Sequence, residues 1–171
     1  NFDATDDNVY FDTTDNDLDD MWAGNGGCCS AWIYPKSNGE SNAGAIFDKD
    51  KWRLYMGTES GGKLRMWFRV KRGGVAKEVN VTKGGSVNVI PINAWSHVAV
   101  FYDSDAYGNE PIIYVNGEVV TNGTLSYTSG SYDTDAAANL GVGGNGAGGT
   151  VWDGYIMDAK IYKNVAVTAT N

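Results

Sequence analysis

The chain is short of several things at once. Its 171 residues include two Cys, three Pro and a single His. No apolar run approaches the roughly 18 residues that a spanning helix needs, so membrane insertion is not expected. One imidazole and two thiols are too few for most zinc sites and leave little for His-based acid–base chemistry. Basic residues are also scarce. Thirteen Lys and Arg stand against 21 Asp and Glu, for a formal net charge of −8. Nonspecific nucleic-acid binding depends on Lys and Arg neutralising phosphates, so no nucleic-acid partner is expected. Cys28 and Cys29 are adjacent, which prevents them from stapling distant strands and would strain a bridge between them. They read as small buried or half-buried side chains.

What is present points to a packed fold. Six Trp, ten Tyr and 42% hydrophobic residues do not describe a disordered chain. The length fits one domain spanning residues 1–171. The chain opens directly in Asn1-Phe2-Asp3 with no signal peptide and reads as a module excised or processed from a larger protein. Asn80-Val-Thr82 and Asn122-Gly-Thr124 match the N-glycosylation acceptor pattern, a triplet that often arises by chance.

Helical periodicity is nearly absent. Short β-branched and aromatic stretches alternate with Gly, Asn and Asp, and predict strands near 8–12, 27–35, 44–48, 51–57, 63–70, 75–81, 95–102, 111–115, 118–121, 138–143 and 150–162. Asn116-Gly117 between two such stretches is a strong hairpin signal, because both residues tolerate positive φ. Gly61-Gly62, Gly73-Gly74 and Gly84-Gly85 punctuate the neighbouring strands. Many short strands with frequent turns imply an all-β sandwich or barrel. The Gly-rich run from Gly141 to Gly149 lacks the Gly-Lys-Ser/Thr ending and the following helix of a phosphate loop, so it reads as a surface loop.

Three segments carry a family resemblance. They are Phe2 to Tyr10 leading on to Ala31-Trp32-Ile33-Tyr34-Pro35, Ala94-Trp95-Ser96-His97-Val98-Ala99-Val100 followed by Ile113 to Gly117, and Leu140 to Gly144 followed by Trp152 to Tyr162. In order and spacing they resemble the laminin-G-like, concanavalin A-type jelly-roll superfamily. The resemblance implies a two-sheet antiparallel β-sandwich (jelly roll) with its terminal segments paired. It also implies an extracellular, cell-surface or virion-surface setting. It places Trp32 and Trp95 in framework strands, where loss of a buried Trp would cost about 3–5 kcal/mol. Function stays open, because this fold hosts lectins, carbohydrate-binding modules, glycosidases, adhesion domains and virion proteins.

Glycosidases of this kind need two carboxylates flanking the scissile bond. The five Glu, at 40, 59, 78, 110 and 118, lack the Glu-x-Asp-x-Glu pattern of the laminarinase-like branch, so the chain is read as not an enzyme. His97 has no Ser or Cys nucleophile motif beside it and reads as a hydrogen-bonded structural residue. Eight of the sixteen Asp fall in the first twenty residues, and the first basic residue is Lys36. Crowded carboxylates are costly unless they are solvated or hold a cation, and calcium is the natural one. The resemblance implies a structural calcium held by Asp3, Asp6 or Asp7 and Asp158. A solvated acidic edge that discourages strand pairing accounts equally for the cluster. The loop from Asp103 to Glu110 is a second acidic stretch without the EF-hand pattern.

The strongest pattern is one of sign. All four Arg lie within 53–72. Period-two alternation puts Arg53 and Tyr55 on one face of their strand and Arg65, Trp67 and Arg69 on one face of the next. Leu64, Met66, Phe68 and Val70 must point inward, which leaves the Arg, Tyr and Trp side chains outside. Such a face suits a sugar stacked on the indole, with guanidinium groups bonding its hydroxyls or carboxylates. It equally suits Arg stems covering an aromatic in solvent, or an interface with a protein partner or a second copy. The leading reading is a noncatalytic, lectin-like carbohydrate-binding module. The alternative is a structural or adhesive sandwich, such as a virion decoration, fibre or surface-layer domain.

Overall fold

The apolar and aromatic stretches form thirteen strands in the computed structural model, which describes residues 1–11, 16–83, 85–105, 110–125, 130–145 and 149–165, with the backbone alone at 16 and 121–125. They are β1 (Phe2–Asp3), β2 (Val9–Phe11), β3 (Gly27–Pro35), β4 (Ala45–Asp48), β5 (Trp52–Ser60), β6 (Lys63–Arg72), β7 (Val75–Thr82), β8 (Ile90–Pro91), β9 (Ser96–Tyr102), β10 (Ile112–Val115), β11 (Glu118–Leu125), β12 (Leu140–Val142) and β13 (Asp153–Lys163). Each of the eleven predicted stretches contains a strand. Two strands fall outside those stretches, β1 and β8, each of two residues and so without an alternation to read; β1 was implied by the resemblance, and β8 was not foreseen.

The strands make two antiparallel layers. One runs β1-β13-β3-β9-β10, and the other runs β7-β6-β5-β4-β12-β2 with β8 on the end of β6. β11 joins them. Its residues 118–120 pair with β10, while Thr121, Asn122 and Leu125 pair with β7, so the strand passes from one layer to the other. Phe2 pairs with Gly154 and Asp3 with Asp153, which brings the N-terminal segment onto the last strand as expected. Asn116 and Gly117 have φ of 53° and 79° and close the two-residue hairpin that sets the β10–β11 register.

The core lies between the layers. Inward positions of β5 and β6 supply Leu54, Met56, Leu64, Met66, Phe68 and Val70, and β3 and β9 answer with Cys29, Ala31, Ile33, Val98, Val100 and Tyr102. The loop before β3 adds Met21 and Trp22. The Trp22 indole stands edge-on to Trp52 at 5.1 Å and to Phe68 at 5.2 Å in one sheet and lies 6.0 Å from the Tyr102 ring of β9 in the other, linking both. Cys28 and Cys29 are free, and successive strand residues point to opposite faces, so no bridge forms between them.

Two expectations are corrected here. Trp32 and Trp95 are 38% and 44% exposed, not buried. The inward positions of β3 are Cys29, Ala31 and Ile33, and alternation therefore turns Trp32 out. The Gly-rich run is not a surface loop over its first part, because residues 141–144 are buried. A side chain on Gly143 would fall within 2.6 Å of the Phe2 ring, so the glycine admits the N-terminal strand to the core. Residues 146–148 and Gly84 lie outside the described residues.

Candidate functional site

Three hairpin-linked strands build the exposed side of the second layer. Their register sets Arg53, Arg69 and Glu78 in one row and Tyr55, Trp67 and Asn80 in the next, with Arg65 beyond Trp67 on β6. The structure thus brings together all five predicted ligand-binding residues, Arg53, Tyr55, Arg65, Trp67 and Arg69, and each is half-buried. With strands ~4.8 Å apart and same-face residues ~6.6 Å apart, the patch is about 10 by 13 Å, the footprint of a short oligosaccharide. Arg72 is not part of it. Its guanidinium donates to Gly130 O, Tyr102 Oη and Ser104 O and ties loops together.

The side chains of the patch order one another. The Tyr55 and Trp67 rings are parallel within 13°, with centroids 6.3 Å apart. Arg53 Cζ lies 5.7 Å from the Tyr55 centroid, and Arg65 Cζ lies 5.6 Å from that of Trp67. The indole rests over Gly57, where an added Cβ would stand 2.7 Å from Nε1. The Tyr55 hydroxyl donates to Glu78 Oε1 at 3.1 Å. Burial, and then the Glu78 charge, hold that phenol above its ordinary pKa, so it remains a donor. Because Arg65 covers part of the indole, Trp67 is a wall of the site rather than an open platform.

The polar atoms of this patch are incompletely satisfied. Arg65 Nε, Arg69 Nε and Asn80 Oδ1 are buried without a hydrogen-bond partner. Native proteins rarely leave such groups unpaired, and three within three adjacent rows of one exposed face mark a place where a polar ligand would complete them. Asn80 is 4% exposed, so its glycosylation triplet is inaccessible in the folded chain. The Asn122 side chain lies outside the described residues. Asn80, Glu78 and Gly57 were missed at the sequence level. Extending the alternation to 75–81 finds the first two, whereas Gly57 is found only through the indole above it.

A polar hollow of about 610 Å³ adjoins Arg53, lined also by Tyr10, Asp48, Asp50, Asn139 and Asn145. Asp48 is 1% exposed, and its Oδ2 lies 2.6 Å from Arg53 Nε. Burial raises its pKa more than Arg53 lowers it. Asp50 is held in the opposite direction by its hydrogen bond from Lys51. Such divergence suits an acid–base pair, but Asp48 is closed off beneath Arg53, and its Oδ1 accepts the Asp50 N–H at 3.0 Å. Its role is to position Arg53. Glu40 is likewise structural, accepting the Gly149 and Val151 N–H groups.

The four proposed metal ligands are not brought together. Asp3 faces Asp153, whereas Asp158 lies five residues further along β13, about 16 Å at the rise of a strand. Asp158 Oδ2 accepts from Lys160 at 2.6 Å, and Asp3 Oδ1 accepts the Thr5 N–H. Asp6 and Asp7 sit in the turn between β1 and β2. Among the described residues no three carboxylate, imidazole or thiol groups converge on one point. Part of the acidic segment finds its cation in the chain. Buried Lys49 Nζ donates to Asp19 Oδ1 and Asp135 Oδ1, both at 2.7 Å. Asp135 also accepts from Tyr132 Oη and the Asp20 N–H, so the acidic segment is bound to residues 132–135. In the second acidic loop, Asp105 accepts the Gly24 N–H, and residues 106–109 lie outside the described residues.

Comparison with known proteins agrees with this fold. A family model described as the concanavalin A-like lectin/glucanases superfamily matches residues 3–170. Domains LG4-5 of the mouse laminin alpha1 chain superpose with a TM-score of 0.61 at 13% identity, covering 99% of this chain and 44% of that one. This chain therefore spans less than half of the laminin fragment. The CBM40 module of the Ruminococcus gnavus IT-sialidase, bound to alpha2,3 sialyllactose, superposes with a TM-score of 0.56 at 11% identity, covering 87% of this chain and 80% of that one. No curated protein matches the sequence.

Proposed function

We propose, because the chain belongs to the concanavalin A-like lectin/glucanases superfamily and carries a partly unsatisfied polar face, that it is a noncatalytic carbohydrate-binding module. Its site is the patch of Arg53, Tyr55, Arg65, Trp67 and Arg69, completed by Glu78 and Asn80. The single observation that carries this reading is the set of buried, unpartnered atoms Arg65 Nε, Arg69 Nε and Asn80 Oδ1 beside Trp67. Guanidinium groups form short charge-assisted bonds to carboxylates and sulfates, so the preferred glycan is acidic. The similar CBM40 module holds sialyllactose, which bears a carboxylate and gives the same chemistry a precedent on this fold. Tyr55 Oη and Asn80 would meet the sugar's hydroxyls while Trp67 packs against its apolar edge.

The reading is noncatalytic because the carboxylates nearest the patch are engaged: Asp48 with Arg53, and Glu78 with Tyr55. As a binding module it belongs outside the cell, on the cell surface or on a virion, within a larger protein. No helix among the described residues is long and apolar enough to cross a membrane. The alternative, a structural or adhesive sandwich, is favoured by one observation, the exposed aromatics of the opposite layer.

The test is a glycan panel containing sialylated, uronic, sulfated and neutral sugars. Arg69→Gln should weaken the acidic ligands about 10- to 100-fold, and added salt should weaken them further by screening the charge. Neutral sugars should be much less affected. Absence of binding across the panel, or acidic-glycan binding as tight as wild type in both the Arg65→Gln and Arg69→Gln variants, would overturn the proposal.

A further inference from the structure

The outer side of the first layer is built differently. Cys28, Ser30 and Ala99 are small, Ser30 opposite Ala99 and Cys28 two residues along β3 on the same face, and they form the floor of an apolar hollow of about 590 Å³. Phe101, Tyr114, Tyr162 and the edge-on pair Trp32–His97 form its rims. Among the described residues the contact of the His97 ring is this one, at 5.3 Å, rather than the imidazole hydrogen bond the sequence suggested. Next to the hollow, Tyr34 stands edge-on to both Trp95 and Tyr155.

We propose that this face is the surface through which two copies of the chain pair back to back. Three observations favour a second copy. Trp32, Trp95, Tyr155, Met157 and Tyr162 are each 38–54% exposed. At ~100 Å² apiece they offer ~500 Å², more than half of the ~800 Å² per partner of a stable interface. The face also carries both a hollow and projecting side chains, the requirement for a patch that fits itself across a two-fold axis. Finally, at a net charge of −8 two copies repel each other, whereas the charges on this face are the Asp158–Lys160 pair, at 2.6 Å, and Lys36, whose Nζ lies 5.0 Å from the Tyr155 centroid, so the face adds no net negative charge. Pairing in this way would leave both Arg faces outward, so that one dimer grips two glycans and gains avidity on a dense surface.

The experiment is sedimentation equilibrium over a concentration series. Wild type should fit a dimer, while Met157→Glu and Tyr162→Glu should raise the dissociation constant at least 100-fold with the melting curve otherwise retained. Trp67→Ala, on the opposite layer, should leave the dimer intact, which separates this proposal from the glycan site. Alkylation of Cys28 on the floor of the hollow gives a second measurement that needs no variant. Its rate in wild type should fall as protein concentration rises. A wild type that stays monomeric throughout, variants that keep the dimer, or labelling independent of concentration would each overturn the proposal.

Discussion

On one side of the sandwich the outward residues of β5, β6 and β7 are Arg53, Tyr55, Arg65, Trp67, Arg69, Glu78 and Asn80. On the other, β13, β3 and β9 present Tyr155, Met157, Tyr162, Trp32, Cys28, Ser30, Ala99 and Phe101. Both sets obey the same alternation, and both include a large aromatic beside small neighbours. They differ in their polar atoms. The first face buries guanidinium and amide groups without partners, so its unmet demand is for a polar ligand. The second face has little polarity to satisfy, and its unmet demand is for apolar contact. Outward-facing positions therefore carry no single meaning. What separates a ligand face from an association face is which bonds remain unmade.

The largest effects should come from residues that belong to neither face. Trp22→Ala should cost about 3–5 kcal/mol in urea unfolding, whereas Trp32→Ala or Trp95→Ala in the monomer should cost about 1 kcal/mol or less. Equal losses would mean that the outer aromatics are framework after all. Lys49→Met should cost about 3 kcal/mol, because it strands Asp19 and Asp135 without their cation, and the double change with Asp135→Asn should recover part of it.

On the Arg face, Gly57→Ala should displace the Trp67 indole and weaken glycan binding by about 1–2 kcal/mol with a smaller change in stability. If binding is untouched, the indole takes no part in the site. On the aromatic face, burial pushes the Cys28 thiol up to about 11 from an ordinary 9.0. At neutral pH that lowers the thiolate fraction ~100-fold, and the greater nucleophilicity of a weaker acid returns about tenfold, so native labelling should run about tenfold slower than in the unfolded chain. The unfolded thiol ionises first as pH rises, so the stability tied to this proton is intact below about 9.0 and is lost toward about 11.

The smallest effect is expected from calcium. A site at Asp3, Asp6 and Asp7 remains a proposal resting on the opening turn alone. Since no three carboxylates converge there among the described residues, chelator should move the melting temperature little. A reversible fall of several degrees would restore the metal to this segment.

Much of this molecule follows from residue order. Period-two alternation in 51–57 and 63–70 is enough to name the five residues of the Arg face, because in a half-buried antiparallel hairpin an inward Leu, Met or Phe forces its neighbours out. Two-residue turns such as Asn116-Gly117 set the register, since their positive φ values admit few alternatives. Tertiary structure alone decided the rest. Trp32 and Trp95 turned outward because the inward positions of their sheet were already filled by Ala31, Ile33, Val98 and Val100. Asp158 parted from Asp3 because strand pairing spaces residues along β13 and takes no account of charge. Lys49 reached Asp19 and Asp135 across gaps of 30 and 86 residues because burying carboxylates requires a cation, and no local pattern says which distant lysine will supply it.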